Sequence, residues 1–181
     1  LYILNTLSSM VYGIFTSLII GTILKTAGQE LNITILENIG NISIESMGAA
    51  IGISIAYKRQ LSHLILFSCA CCGTAGAIAG GPLGALIASV AGMECGKYIS
   101  GKTRMDLILT PAVTILAGGT AGLLSGPAIT SFLSLIGNAV FSLTNAQPIL
   151  SGSAIAVLMG MAMCTPLSST AIAVMLNLHG T

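Results

Sequence analysis

Two carboxylates in this sequence sit where a carboxylate is expensive. Glu94 lies in "GGPLGALIASVAGMECGKYISGKTRMDLILTP" and Glu45 in "NISIESMGAAIG", both within largely apolar runs. An ionised carboxylate at the centre of a bilayer costs about 2.5–3.5 kcal/mol on insertion scales, so it usually faces a cavity or a partner. Glu94 falls twelve residues after Pro82, about 18 Å along a helix at 1.5 Å per residue. That depth is past the midplane, toward a basic loop. Lys97, three positions on, shares its helix face and is placed to pair with it or to snorkel outward. Glu94 therefore reads either as half of an interfacial ion pair or as a substrate or proton site. Glu45 has the same two readings, since Asn41, Ser43 and Ser46 around it could mark a wet end of its helix.

A second kind of chemistry is offered by "MGMAMCTPLSSTAIAVML". Pro166 removes a helix hydrogen bond and opens the preceding turn, and Thr165, Ser168 and Ser169 supply hydroxyls around the opened backbone. Non-helical backbone at membrane depth is tolerated within protein or beside a water-filled cavity. A kink healed by its own hydroxyls is the structural reading. Free hydroxyls and carbonyls also suit a neutral, polyhydroxylated ligand such as a sugar, and Asn138 and Gln147 could add amides. The candidate substrate-binding set is thus Glu94, Asn138, Gln147, Thr165, Ser168 and Ser169.

Other motifs carry less. "CACC" holds one Cys-x-x-Cys, but it lies in an apolar run without nearby ligands, where free Cys packs as a small hydrophobe. "GKYISGKT", residues 96–103, matches the phosphate-loop pattern in form, yet it follows a membrane helix and not a strand. His63 and His179 lack ligand-like neighbours. No catalytic triad, carboxylate pair or metal cluster can be assembled, so neither an enzyme active site of the chain's own, a metal nor a cofactor is expected.

These residues need elements to hold them, and the composition says which. The chain has 181 residues, 54% hydrophobic and 6% charged, with a mean hydropathy of +0.97. A soluble domain carries about 25% charged residues, so the solvent for this chain is lipid. Its apolar runs are continuous and do not alternate as barrel strands do. The fold class is all-α, a polytopic helical transmembrane protein forming a single domain over 1–181. A net charge of +1 gives no electrostatic case for nucleic acid.

Runs of roughly 20 apolar residues mark spans. They predict helices over 1–24, 39–57, 61–80, 82–99, 106–124 and 128–143, with a final stretch over 149–177 interrupted at "CTPLSS". Pro82 and Pro127 separate neighbouring helices, because the residue before a proline is pushed out of the helical region. With a cytoplasmic N-terminus, Lys58, Arg59, Lys97, Lys102 and Arg104 fall inside and Lys25 outside, the side that basic loops favour. There is also a weak internal repeat. "GTAGAIAGGP" (73–82) returns as "GTAGLLSGP" (119–127), each with glycines every fourth position, a spacing that lets a neighbouring backbone approach closely. Paired, interrupted helices in corresponding positions are also a pointer to a transporter's binding site.

The stretches "GGPLGA", "GKYISGKT.MD", "TP.VTI" and "TPLSS", within residues 73–176, resemble a membrane family of the bacterial phosphotransferase system. It is the EIIC-like sugar permease group, which also takes in the perfringolysin O regulator type. The resemblance implies a multi-pass protein of the bacterial cytoplasmic membrane. Its function would be that of a permease component taking a carbohydrate to a cytoplasmic IIB/IIA-type partner for phosphorylation. The alternative within the group is a membrane-embedded regulator or sensor that binds a ligand without transporting it. Family members are about twice this length and the chain starts with Leu, so it is expected to be the N-terminal half of a longer EIIC-like domain. Membrane lipid and further copies of the chain are the other expected partners.

Overall fold

The structure is a computed structural model that describes residues 2–102 and 105–146. The described residues form helices and short turns, with no strand among them. α1 (Tyr2–Ile14), a π-helical turn (Phe15–Ile19) and α2 (Ile20–Glu30) make one long rod. α3 (Thr34–Glu45) and α4 (Met47–Lys58) return alongside it, bent by 48° at Ser46. α5 (His63–Ile99) and α6 (Asp106–Ala146) complete the order.

Small residues set how these helices meet. A Cβ on Gly13 would lie 2.7 Å from the Ile51 backbone, and one on Gly40 would lie 2.5 Å from the Lys25 nitrogen. The α1–α2 rod and the α3–α4 return are thus an antiparallel hairpin in backbone contact at both ends. α4 then packs on the first arm of α5, where a Cβ on Gly73 would collide with the Gly48 carbonyl and one on Gly52 with that of Cys69. Met10, Ile14, Ile51, Ile55, Ile65 and Met93 fill the core between these close approaches. In lipid, apolar burial adds little between helices, and van der Waals fit of this kind is what holds them together.

α5 is not a straight rod. Gly80 and Gly81 leave helical geometry, Gly81 at φ 61° and ψ −152°, a region that only glycine occupies without strain. The chain reverses there. Ile65 sits by Gly96, Cys69 reaches toward the Ser89 carbonyl at 3.9 Å, and Gly76 meets Gly84. Two antiparallel arms result, 63–79 and 82–99, each about 26 Å long at 1.5 Å per residue. This is the break expected at Pro82. α6 packs against both arms, with Gly92, Gly96, Gly118, Gly122 and Gly126 at the contacts.

Other expectations needed correction. The first helix does not stop at Lys25 but continues to Glu30, because Lys25 and Glu30 are ordinary helix formers and the breaker is Asn32, at φ 53°. The second span starts earlier than residue 39 and is broken at Ser46. Pro127 does not end a helix: α6 runs through it, so 106–124 and 128–143 are one element. The stretch 149–177 lies outside the described residues. By length and composition, Asn5–Glu30, His63–Ile99 and Asp106–Phe132 can cross a membrane, and the bent pair α3–α4 makes a fourth candidate.

Candidate functional site

The basic residues gather at one end. Tyr2 donates a hydrogen bond to the Glu94 carboxylate, and the Arg59 guanidinium lies 3.6 Å from the centre of the same ring. Ser62 and Ser100 approach at 3.4 Å. The start of α1, the α4–α5 turn and the end of α5 therefore share a level, and Lys58, Arg59, Lys97 and Lys102 are all placed there. Lys25 is at the other end of the rod. This grouping is the one that basic loops on a single side require.

Measured along the helices from that basic end, three breaks in helical backbone fall in a slab about 18–26 Å away. The π turn begins about 20 Å from Tyr2, the Ser46 break lies about 18 Å from Lys58, and the Gly80–Gly81 reversal lies about 26 Å from His63, at 1.5 Å per residue. Hydroxyls bond back along the helix at the π turn. Thr16 returns its hydroxyl to the Tyr12 carbonyl at 2.9 Å, and Ser17 returns its own to Gly13 at 2.7 Å. Such back-bonding competes with the regular ladder. The Ser17 carbonyl then accepts the Ser43 hydroxyl of α3 at 3.0 Å, which ties the π turn to the helix that breaks three residues later. π turns inside helices recur at functional sites.

Glu45 is the last residue of α3 before the break, and its side chain is exposed. It lines an open cleft of about 540 Å³ with Ile44, Met47, Thr74, Ala77 and Ile78. The Thr74 hydroxyl is held by the Ala70 carbonyl at 2.8 Å, so it keeps its acceptor lone pairs for a ligand. The cleft opens onto the slab of broken backbone, about 20 Å from the basic end. Of the polar groups around Glu45, the Ser43 hydroxyl is held by Ser17 and the Ser46 hydroxyl by Ile42.

Glu94 is placed differently. Its partner is Tyr2, from the far end of the sequence, while Lys97 points to the exterior. Asn138 is on α6, whose backbone is described at that point. Gln147, Thr165, Ser168 and Ser169 lie outside the described residues. What sequence reasoning missed is the π turn and the partner of Glu94. Neither had a local signal, since hydroxyls like those of Thr16 and Ser17 bond back in the same way within regular helix at Ser54 and Ser68.

The motifs set aside stay aside. Cys69 and Cys72 are buried, and the Cys72 thiol donates to the Thr114 carbonyl at 3.2 Å between Gly92 and Gly118. Residues 96–99 are helical and Gly96 packs on Thr114, so no phosphate-cradling loop exists there. Among the described residues, no group of three or more His, Cys, Asp or Glu could hold a metal ion.

Comparison with known proteins gives one finding. The family model described as "Phosphotransferase system, EIIC" matches residues 4–181. No curated protein matches the chain, and no solved structure does.

Proposed function

The chain belongs to the phosphotransferase-system EIIC family and is a membrane permease component of that type, and from that premise we propose that it binds a carbohydrate between its broken helices. The family match over nearly the whole chain carries the reading. The geometry supports it in three ways: three helix breaks fall in one slab, a carboxylate faces a cleft there, and the Thr74 hydroxyl lines that cleft. A sugar offers adjacent hydroxyl donors, and an ionised carboxylate accepts from two at once with charge-assisted strength. Glu45 is the group best placed for this grip. Gln147, Thr165, Ser168 and Ser169 supply the remaining hydrogen bonds, Asn138 lies twelve residues beyond the Gly126 contact with Gly80 and outside this cleft, and Glu94 acts at the basic end, where the sugar leaves toward a cytoplasmic IIB-type partner.

The test is selective binding. Purified protein is screened by thermal unfolding against a panel of sugars, because a ligand that binds the folded state raises its stability by mass action. One sugar class should raise the midpoint, and Glu45→Gln should lower the affinity about tenfold or more, the size of a lost charge-assisted bond. Glu94→Gln should leave affinity nearly unchanged and slow uptake into vesicles. If no sugar stabilises the protein, the carbohydrate reading fails. If Glu94→Gln abolishes binding while Glu45→Gln does not, the site is at the basic end instead.

A further inference from the structure

A second cavity lies away from the Glu45 cleft. It has a volume of about 340 Å³ and sits between the start of α1 and the second arm of α5, lined by Thr6, Leu7, Leu86, Ile87, Val90 and Ala91. Its wall is almost wholly apolar. The hydroxyls of its lining residues are already committed, Thr6 to the Tyr2 carbonyl at 2.9 Å and Tyr2 to the Glu94 carboxylate. Tyr2 lines the groove at the end nearest the basic residues, and the Arg59 guanidinium lies on the Tyr2 ring.

Arg59 is the unusual member. Its Nη2 is buried with no hydrogen-bond partner, and the residue makes no ion pair among the described residues. The nearby carboxylate of Glu94 is taken up by the Tyr2 hydroxyl. A buried guanidinium nitrogen with no partner among the described residues is costly, and the planar fork of arginine suits a phosphate. The residue is half-exposed, so an anion arriving from the surface reaches the outer edge of the guanidinium, and a small turn of the side chain brings Nη2 to the same anion. Lys58, next in the chain, is exposed and adds positive charge.

We propose that this groove holds one acyl chain of an anionic phospholipid, whose phosphate is bound by Arg59. The juxtaposition selects the occupant. An apolar slot about 8 Å long between helices, opening at an unpaired cation at the basic end of a membrane bundle, matches a molecule with a phosphate at the interface and a hydrocarbon tail below it. Basic pockets between helices on the cytoplasmic side take anionic headgroups in this way. The proposal does not depend on the sugar reading, because it uses none of the same residues as a ligand.

The experiment compares phosphatidylglycerol with phosphatidylcholine by native mass spectrometry of the full chain released from mixed micelles. A preference of about fivefold for phosphatidylglycerol is expected, the size of one arginine at an anionic surface. Arg59→Gln should erase the preference, and Ala91→Trp, which fills the groove, should reduce retention of both lipids. Equal retention of the two lipids by the unaltered chain would overturn the proposal. Should Arg59→Gln not fold, a photo-reactive residue in place of Ile87 decides the matter with Arg59 intact. A mass gain of one phospholipid supports the assignment, whereas a cross-link to residues 147–181 or to a second copy rejects it.

Discussion

Residues 73–82 and 119–127 carry the same glycine spacing, lie side by side and end in a proline, yet the chain reverses after the first and continues as helix after the second. They face each other through their equivalent positions. A Cβ on Gly122 would lie 2.9 Å from the Gly76 Cα, and one on Gly80 would lie 3.2 Å from the Gly126 Cα. The repeat is therefore a packing device, two small-residue faces in register. What separates their fates is one residue. The first copy has Gly81 between Gly80 and its proline, and Gly81 takes the φ 61° conformation that turns the chain. The second runs from Gly126 directly into Pro127. There the missing proline N–H frees a single carbonyl, that of Leu123, and the helix continues through Pro127. A lone proline within a membrane helix is tolerated where the rest of the ladder is kept.

The contrast can be broken at matched positions. Gly73→Ala should have the largest effect, because its Cβ would strike the Gly48 carbonyl and approach the Gly52 nitrogen, both backbone atoms that cannot step aside. A loss of about 3 kcal/mol is expected from overpacking of this kind, read as a lower unfolding midpoint in detergent. Gly81→Ala comes next. Nothing lies within 4 Å of the added Cβ, so the cost is backbone strain alone, about 1–3 kcal/mol. Opening of the reversal should appear as a longer distance between spin labels placed at Leu66 and Lys97. Gly119→Ala should have the smallest effect, and in the opposite direction. It is the repeat's counterpart of Gly73, but open space surrounds it, and alanine in a helix interior gains up to about 1 kcal/mol over glycine. If Gly73→Ala and Gly119→Ala destabilise equally, the account of the repeat as two unequal faces is wrong.

The same contrast separates the two carboxylates. Glu45 and Glu94 look alike in sequence, each a lone acid among small and apolar residues. The glycines around them do predict close helix contacts, and the reversal at Pro82 was legible because a proline after two glycines leaves little else for the backbone to do. The continuation of α6 through Pro127 was not legible, since a proline in a helical pattern marks a frequent boundary that some helices run through. Lys97 was the local partner for Glu94 at helix spacing. The partner in the structure is Tyr2, a residue ninety-two positions away, and no local pattern announces such a contact.

By itself the sequence determined the solvent and the element type, because too few charged residues remain to solvate a surface of this size and the long apolar runs can satisfy their backbone in lipid as helices. It also determined one reversal, through Gly81 and Pro82. The tertiary structure alone decided which helices lie against which, that the π turn, the Ser46 break and the Gly80–Gly81 reversal fall within one slab about 8 Å thick, and which acid faces a cleft. Those outcomes depend on contacts between distant segments, where a difference of one Cβ decides whether two backbones can touch.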